Sequence, residues 1–206
     1  YLPGSDSSIF KGVSVFIGVL FTFSSAGALG NIVAGLVLTY MRSFSLGDRV
    51  KIGDLSGDII EQSLLVTRIR TTKNEVISVP NSQVMNSHTI NYSADSQEKG
   101  LIIHTNLTMS YETRWQIVHE LAKKAALRVE FIEAEPAPFV LQNSLDDFYI
   151  TYQINAYTKH PNKQAQIYSE LHNSLMDVLH EADLALLSPH YTAISDGNKR
   201  DIPDGF

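Results

Sequence analysis

The sequence predicts a membrane α segment followed by an α+β soluble part: one kinked transmembrane helix, a small β domain, then an α/β sandwich domain. Three observations predict it. Gly12 to Met41 is a run of thirty residues without a formal charge. From Leu46 the apolar residues change from helical spacing to alternation. After Lys99, strand, helix, strand, strand and helix follow within about ninety residues. The expected boundaries are a leading loop over 1–11, the kinked helix over 12–42, a β domain over 43–97, an α+β domain over 98–187 and a tail over 188–206.

Roughly twenty apolar residues cross a bilayer, so the uncharged run has residues to spare. A secretory signal would be shorter and end at a small-residue cleavage site, and here the apolar pattern runs straight into RSFSLGDRVKIGD. As one straight helix the run would measure roughly 45 Å against a hydrocarbon core of about 30 Å. Small and polar residues from Ser24 to Asn31 interrupt it, and glycine and serine clusters bend helices. A kink near Gly27 is therefore expected, dividing a spanning half (12–26) from a second helix (28–42).

In the first half Ser14, Gly18, Thr22 and Ala26 recur every four residues, a small-residue stripe that lets helices approach closely. Val15, Val19 and Phe23 form the neighbouring apolar stripe. In the second half Leu29, Ile32, Val33, Leu36, Val37 and Tyr40 follow helical spacing, with Asn31, Gly35 and Arg42 as interruptions. A single tilted anchor helix fits the same pattern. Arg42, Arg49 and Lys51 after the run, against Lys11 before it, put the C-terminal part in the cytoplasm by the positive-inside tendency. The chain opens at Tyr1 with LPGSDSS and reads as part of a longer protein with earlier segments missing.

The β domain is expected as a small barrel or sandwich of strands near Asp48–Ile52, Asp58–Glu61, Leu64–Arg70, Glu75–Val79 and Thr89–Tyr92, with a helical turn opening at Pro80-Asn81-Ser82. In the α+β domain Leu101–Met109 and Phe148–Tyr157 alternate as strands. Thr113 is placed to cap a helix carrying Ile117, Val118, Leu121 and Ala125 on one face. Gln164–Leu187 is a second helix, ended by Ser188-Pro189.

Composition excludes several functions. A net charge of −6 lacks the basic face of a general nucleic-acid binder. With no cysteine there is no disulfide scaffold, thiolate metal site or thiol nucleophile. Neither His119-Glu120 nor His180-Glu181 completes a zinc-binding HExxH, and His172 and His180 are two helical turns apart. The glycines at 27 and 30 lack the lysine of a phosphate loop, and Asp54, Asp58 and Asp95 read as turn residues. No enzyme, metal site or cofactor is expected.

Two blocks, GALGNIVAGLVLTYMRSFSLGDRVKIGDLSGDIIE and TRIRTTKNEVISVPNSQVMNSHTINYS, resemble the small-conductance mechanosensitive ion channel family in order and spacing across about 27–93. The resemblance implies a homo-heptamer in the bacterial inner membrane. Its last transmembrane helix lines the pore and kinks at a glycine, here Gly27, and a hollow cytoplasmic vestibule follows. Asn31 and Gly35 match positions after the kink, with Gly35 a second hinge candidate. Val19 and Phe23 fall where the family carries two rings of bulky leucines that close the pore by dewetting. Ser14, Gly18, Thr22 and Ala26 would be the helix-packing residues, and Arg68 and Arg70 would line the vestibule, although ordinary solvated strand arginines look the same. The implied function is tension-opened passage of ions and small solutes on hypo-osmotic shock, with the lipid bilayer as partner. The competing reading is a membrane-anchored scaffold or binding module without conductance.

Overall fold

A computed structural model describes residues 7–186. Contacts divide the chain after Lys99 into two compact units.

The first unit opens with helix α1, Ser8–Met41, 34 residues long. It begins four residues before the expected start, because the Ser7 hydroxyl caps it by accepting the Phe10 N–H at 3.1 Å. It ends at Arg42, whose left-handed backbone (φ 48°) turns its N–H onto the Leu38 carbonyl. The helix is continuous across Gly27, so the two expected halves are one element. The polar side chains that signalled a break instead bond back along the same helix, Ser24 to Leu20, Ser25 to Phe21 and Asn31 to Gly27.

Strands β1 (Arg49–Ile52), β2 (Leu55–Gln62), β3 (Val66–Arg70), β4 (Val76–Pro80) and β5 (Thr89–Asn91) follow, with helix α2 (Asn81–Asn86) between the last two. They pair as one antiparallel sheet in the order β4-β3-β2-β1-β5. Among the described residues β4 and β5 are its edges, so the expected barrel or two-sheet sandwich is here a single ladder. Gly53 opens the two-residue β1–β2 loop at φ 58°, the conformation a type II′ hairpin requires there. At Gly57 a Cβ would collide with the Arg70 carbonyl of β3, so only glycine lets β2 cross that point. Strand β3 starts at Val66 instead of Leu64, because the Leu64 and Leu65 carbonyls bond Asn81 outside the ladder. Leu38 and Phe44 join Val50, Ile52, Ile59, Ile69, Val79 and Val84 in the core, so the last turn of α1 is part of it.

The second unit contains β6 (Leu101–Met109), α3 (Trp115–Leu127), β7 (Phe139–Leu145), β8 (Ile150–Thr158) and α4 (Gln164–Glu181). Its three strands pair antiparallel in the order β6-β8-β7, with both helices packed on the sheet. Thr113 does not cap α3, which starts at Trp115 after Arg114; Ile117 is exposed and Ala122 and Ala126 take its expected place in the core. These alanines, with Ala125, let α4 come close enough for the Ser174 hydroxyl to donate to the Ala125 carbonyl at 2.8 Å. Helix α4 stops at Glu181, well before Leu187, because Asp183 adopts φ 53° and Leu184 N–H returns to the Leu179 carbonyl. The expected stop at Ser188-Pro189, the tail and the first six residues of the leading loop lie outside the described residues.

At the ends of α3 and α4 the Arg128 guanidinium meets the Glu181 carboxylate in a two-point fork, both bonds 2.9 Å, and Lys124 adds a third contact at 3.4 Å. The hydrogen bond from Arg128 pulls the Glu181 carboxyl from 4.5 down to about 2. A carboxyl depressed on folding contributes stability above its unfolded value and loses it as pH falls towards the folded one. Glu181→Gln is therefore expected to lower the urea midpoint modestly at pH 7, with the difference from wild type fading between pH 4.5 and 2. Denaturant titrations of both proteins across that range check it.

Candidate functional site

Helix α1 is long and apolar enough to cross a membrane, and its most apolar stretch is not buried against the rest of the chain. At about 1.5 Å per residue it extends roughly 50 Å, more than one hydrocarbon thickness. Val19 and Phe23 stand one turn apart and exposed, at 46 % and 76 %. Ser14, Gly18, Thr22 and Ala26 are also exposed, and a Cβ at Gly18 or Gly27 would meet no other atom within 4 Å. The Thr22 hydroxyl donates to the Gly18 carbonyl at 2.8 Å, so its hydrogen is satisfied within the helix.

From Asn31 onward α1 changes character. Asn31, Ala34, Gly35 and Leu38, at spacings of three and four, turn towards the β domain and are buried or half-buried. Of the helically spaced apolar residues, Leu29, Val33, Leu36 and Tyr40 are exposed and Ile32 and Val37 half-buried. The reason is proximity. A Cβ at Gly35 would overlap the Leu64 carbonyl and lie 2.5 Å from the Asn81 side-chain nitrogen. A large side chain cannot occupy the point where backbones come this close, so Asn31 and Gly35, read as interruptions, lie on the contact face with Ala34 and Leu38. Gly35 is helical like its neighbours, and the structure gives it a packing role.

Asn81 organises the receiving surface. It is 1 % exposed, and its side-chain oxygen accepts from the Thr67 hydroxyl at 2.9 Å. Its NH₂ donates to the Ser63 and Leu64 carbonyls at 3.0 and 2.9 Å, and its backbone N–H donates to Leu65. This amide holds the β2–β3 loop against the start of α2. Pro80 precedes α2 and has no side chain with which to cap it. The cap comes from α1: Asn31 accepts the Ser82 N–H at 2.9 Å while donating to the Gly27 carbonyl at 3.0 Å. One amide thus ties the Gly27 turn of α1 to the first turn of α2, fifty-one residues on. Beside it lies an open apolar hollow of about 490 Å³, walled by Leu29, Val33 and Met85.

Arg68 and Arg70 project from the exposed edge of the β3 alternation. Arg68 is paired with Glu61 at 2.7 Å. Arg70 acts on Asp58, whose carboxyl is raised by burial while Arg49, bonded at 2.8 Å, and Arg70 pull it back. Among the described residues no group of three or more carboxylates and histidines is arranged to hold a metal.

Sequence comparison matches this arrangement to two family models. Residues 27–94 match the mechanosensitive ion channel β-domain, and 103–186 match the C-terminal domain of mechanosensitive ion channel MscS. The chain belongs to the MscS family. The first match opens at Gly27, so it takes in the docked half of α1 together with the sheet it docks on. Among curated relatives, the small-conductance mechanosensitive channel of Edwardsiella ictaluri is 33% identical over 73 residues, covering 35% of this chain and 26% of that protein. Mechanosensitive channel MscK of Escherichia coli is 25% identical over 130 residues, 63% of this chain and 11% of that one. The chain spans less than half the length of the curated relatives it matches. In fold it is similar to the closed-state crystal structure of Helicobacter pylori MscS, with a TM-score of 0.75 at 20% identity over 95% of this chain and 76% of that one. It is also similar to Arabidopsis thaliana MSL1, at 0.64 and 19% over 90% and 67%.

Sequence reasoning singled out Asn31 and Gly35 but missed Asn81 and Ser82 as their partners. The SVPNSQ turn was visible, and Pro80 before a short helix signals an N-terminus in want of a cap. Asn31→Ala is expected to destabilise the first unit by about 1 kcal/mol, the usual effect of losing a helix cap, and to speed amide exchange at Ser82. Hydrogen exchange resolved at α2 checks this, and unchanged protection there removes the coupling role.

Proposed function

We propose that the chain is the pore-lining and cytoplasmic part of a mechanosensitive channel, a homo-heptamer in a bacterial inner membrane with its C-terminal part in the cytoplasm. The observation that carries this reading is the two-faced α1. Its first two-thirds offers apolar and small residues to a membrane or to other copies, and its last third is fastened to the β domain. An anchor alone has no need of that division.

In the closed state Val19 and Phe23 from every copy gather around the axis as two apolar rings. Ions passing them would lose hydration that bulky hydrocarbon cannot replace, so the pore dewets and blocks conduction. Ser14, Gly18, Thr22 and Ala26 let adjacent helices lie close and slide without large side chains catching. Gly27 is the proposed hinge about which the pore segment tilts while the segment from Asn31 stays docked, and Gly35 is the docking point. Tension favours the conformer with the larger in-plane area, and moving it from 1 % to 99 % of the population takes about 5.5 kcal/mol. Opening then releases ions and small solutes under hypo-osmotic shock. Arg68 and Arg70 are the candidate vestibule residues, with Arg68 partly neutralised by Glu61.

Patch-clamp recording of the full-length protein in liposomes under graded suction tests this reading. Stepwise currents rising with tension support it; silence up to the lytic limit, from an assembled oligomer, favours a non-conducting scaffold. Val19→Ser and Phe23→Ser are expected to open at lower tension than wild type, since each removes apolar surface worth about 1–2 kcal/mol per copy from the dry state. A threshold unmoved in both, with no leak, refutes the gate assignment. Gly27→Ala is expected to change the rate of closure or inactivation; identical gating kinetics exclude the hinge.

A further inference from the structure

We propose that His119 is an acid-sensitive wedge in the second unit: charging its ring loosens helix α3 from the sheet, and neutralising it restores the contact. The proposal stands on the packing of this unit alone and holds whether or not the chain conducts ions.

The His119 ring sits between two aromatic neighbours. Its centroid is 5.1 Å from that of Trp115, one turn earlier on α3, and 5.8 Å from that of Tyr152 on β8, both edge-to-face. Tyr152 is completely buried beneath α3. The His119 Nε2 atom and the Tyr152 hydroxyl are both shielded from solvent, and Nε2 has no hydrogen-bond partner among the described residues. A neutral imidazole tolerates this setting as a flat, weakly polar ring. An imidazolium does not: both its nitrogens carry hydrogens, and Nε2–H would be shut off from water.

Among the described residues, the charge that acts on the ring is that of a cation. On α3 itself Lys123 lies one turn on, and its charge opposes protonation. From β8 comes Tyr152, whose hydroxyl is kept protonated by burial, and from β7 comes the uncharged Gln142 beside that hydroxyl. The α4 carboxylate bonded to α3, Glu181, is at the far end of the helix with Lys124 and Arg128. Burial first, then Lys123, lowers the affinity of His119 for a proton. The sign follows from linkage. The unfolded or undocked chain takes up the proton near the ordinary value of about 6.5, while the docked state resists it. Docking therefore weakens as pH falls below that value, levelling off once the docked ring is charged as well.

Trp115 is the sole tryptophan of the chain, so its fluorescence reports on this contact without labelling. The test is a reversible titration of the full chain from pH 8 to 5, following Trp115 emission together with α3 amide exchange corrected for intrinsic rates. The expected result is a single transition with its midpoint below 6.5, at which emission changes and α3 exchange accelerates at least several-fold. His119→Phe keeps a ring in place and is expected to abolish both changes. Should phenylalanine overfill the site, His119→Gln serves the same purpose. Lys123→Met is expected to move the midpoint upward. The proposal is overturned by a transition that persists in both His119 variants, by a midpoint at or above 6.5, or by an emission change without faster α3 exchange.

Discussion

A single side-chain amide, Asn31, holds the long helix to the sheet domain. It takes the free N–H of Ser82 and gives its own hydrogen to the Gly27 carbonyl, acting as a cap for one helix and an internal brace for another. The contact is possible only because Gly35, one turn on, lets the α1 backbone lie against the Leu64 carbonyl and the buried Asn81 amide. Asn81 in turn holds the β2–β3 loop, and Leu38 continues the same helix face into the core of the sheet. Remove the close approach and the cap has nothing to reach; remove the cap and α2 begins with an unsatisfied donor.

This arrangement divides α1 by environment. Up to about Gly27 the helix is exposed along its length. Beyond it, one face is fixed by polar contacts that have definite geometry and the opposite face stays apolar and open. Membership of the MscS family gives that division a rationale. Under the proposed channel reading, a part facing the bilayer and a part docked on the β domain are joined in one continuous element. The second unit is built differently, around a dense apolar core with alanines at the helix crossing and an ion-paired fork at its end.

The order of elements was legible because the periods are clean: alternation in Leu101–Met109, helical spacing in Gln164–Glu181, and an uncharged run too long for a core helix. The contact face of α1 was not. Hydrophobic periodicity points to Leu29, Val33, Leu36 and Tyr40, yet packing selected Asn31, Ala34 and Gly35, whose merit is small size and hydrogen-bonding capacity. Periodicity registers neither. The two halves expected about Gly27 form one helical element, in which Ser24, Ser25 and the Asn31 NH₂ bond carbonyls of their own helix. Thr113 was a plausible cap by residue type, but α3 starts two residues later. Val19 and Phe23 were placed by resemblance alone, because a single chain does not carry the ring they would form.

The inward bonding of the α1 side chains has a mechanical consequence. Thr22, Ser24 and Ser25 each bond a carbonyl of their own helix, so their polar demands travel with it. Through this stretch the helix can turn about its long axis without breaking a bond to any other element. Rotation there is resisted only by apolar contact and hydration, which vary smoothly with angle. At Asn31 the resistance becomes a latch with a defined rest position. The element is thus a shaft seated in a keyed socket, and torque on the shaft is delivered to the sheet through the Asn31 amide, the close approach at Gly35 and the buried Ala34 and Leu38 side chains.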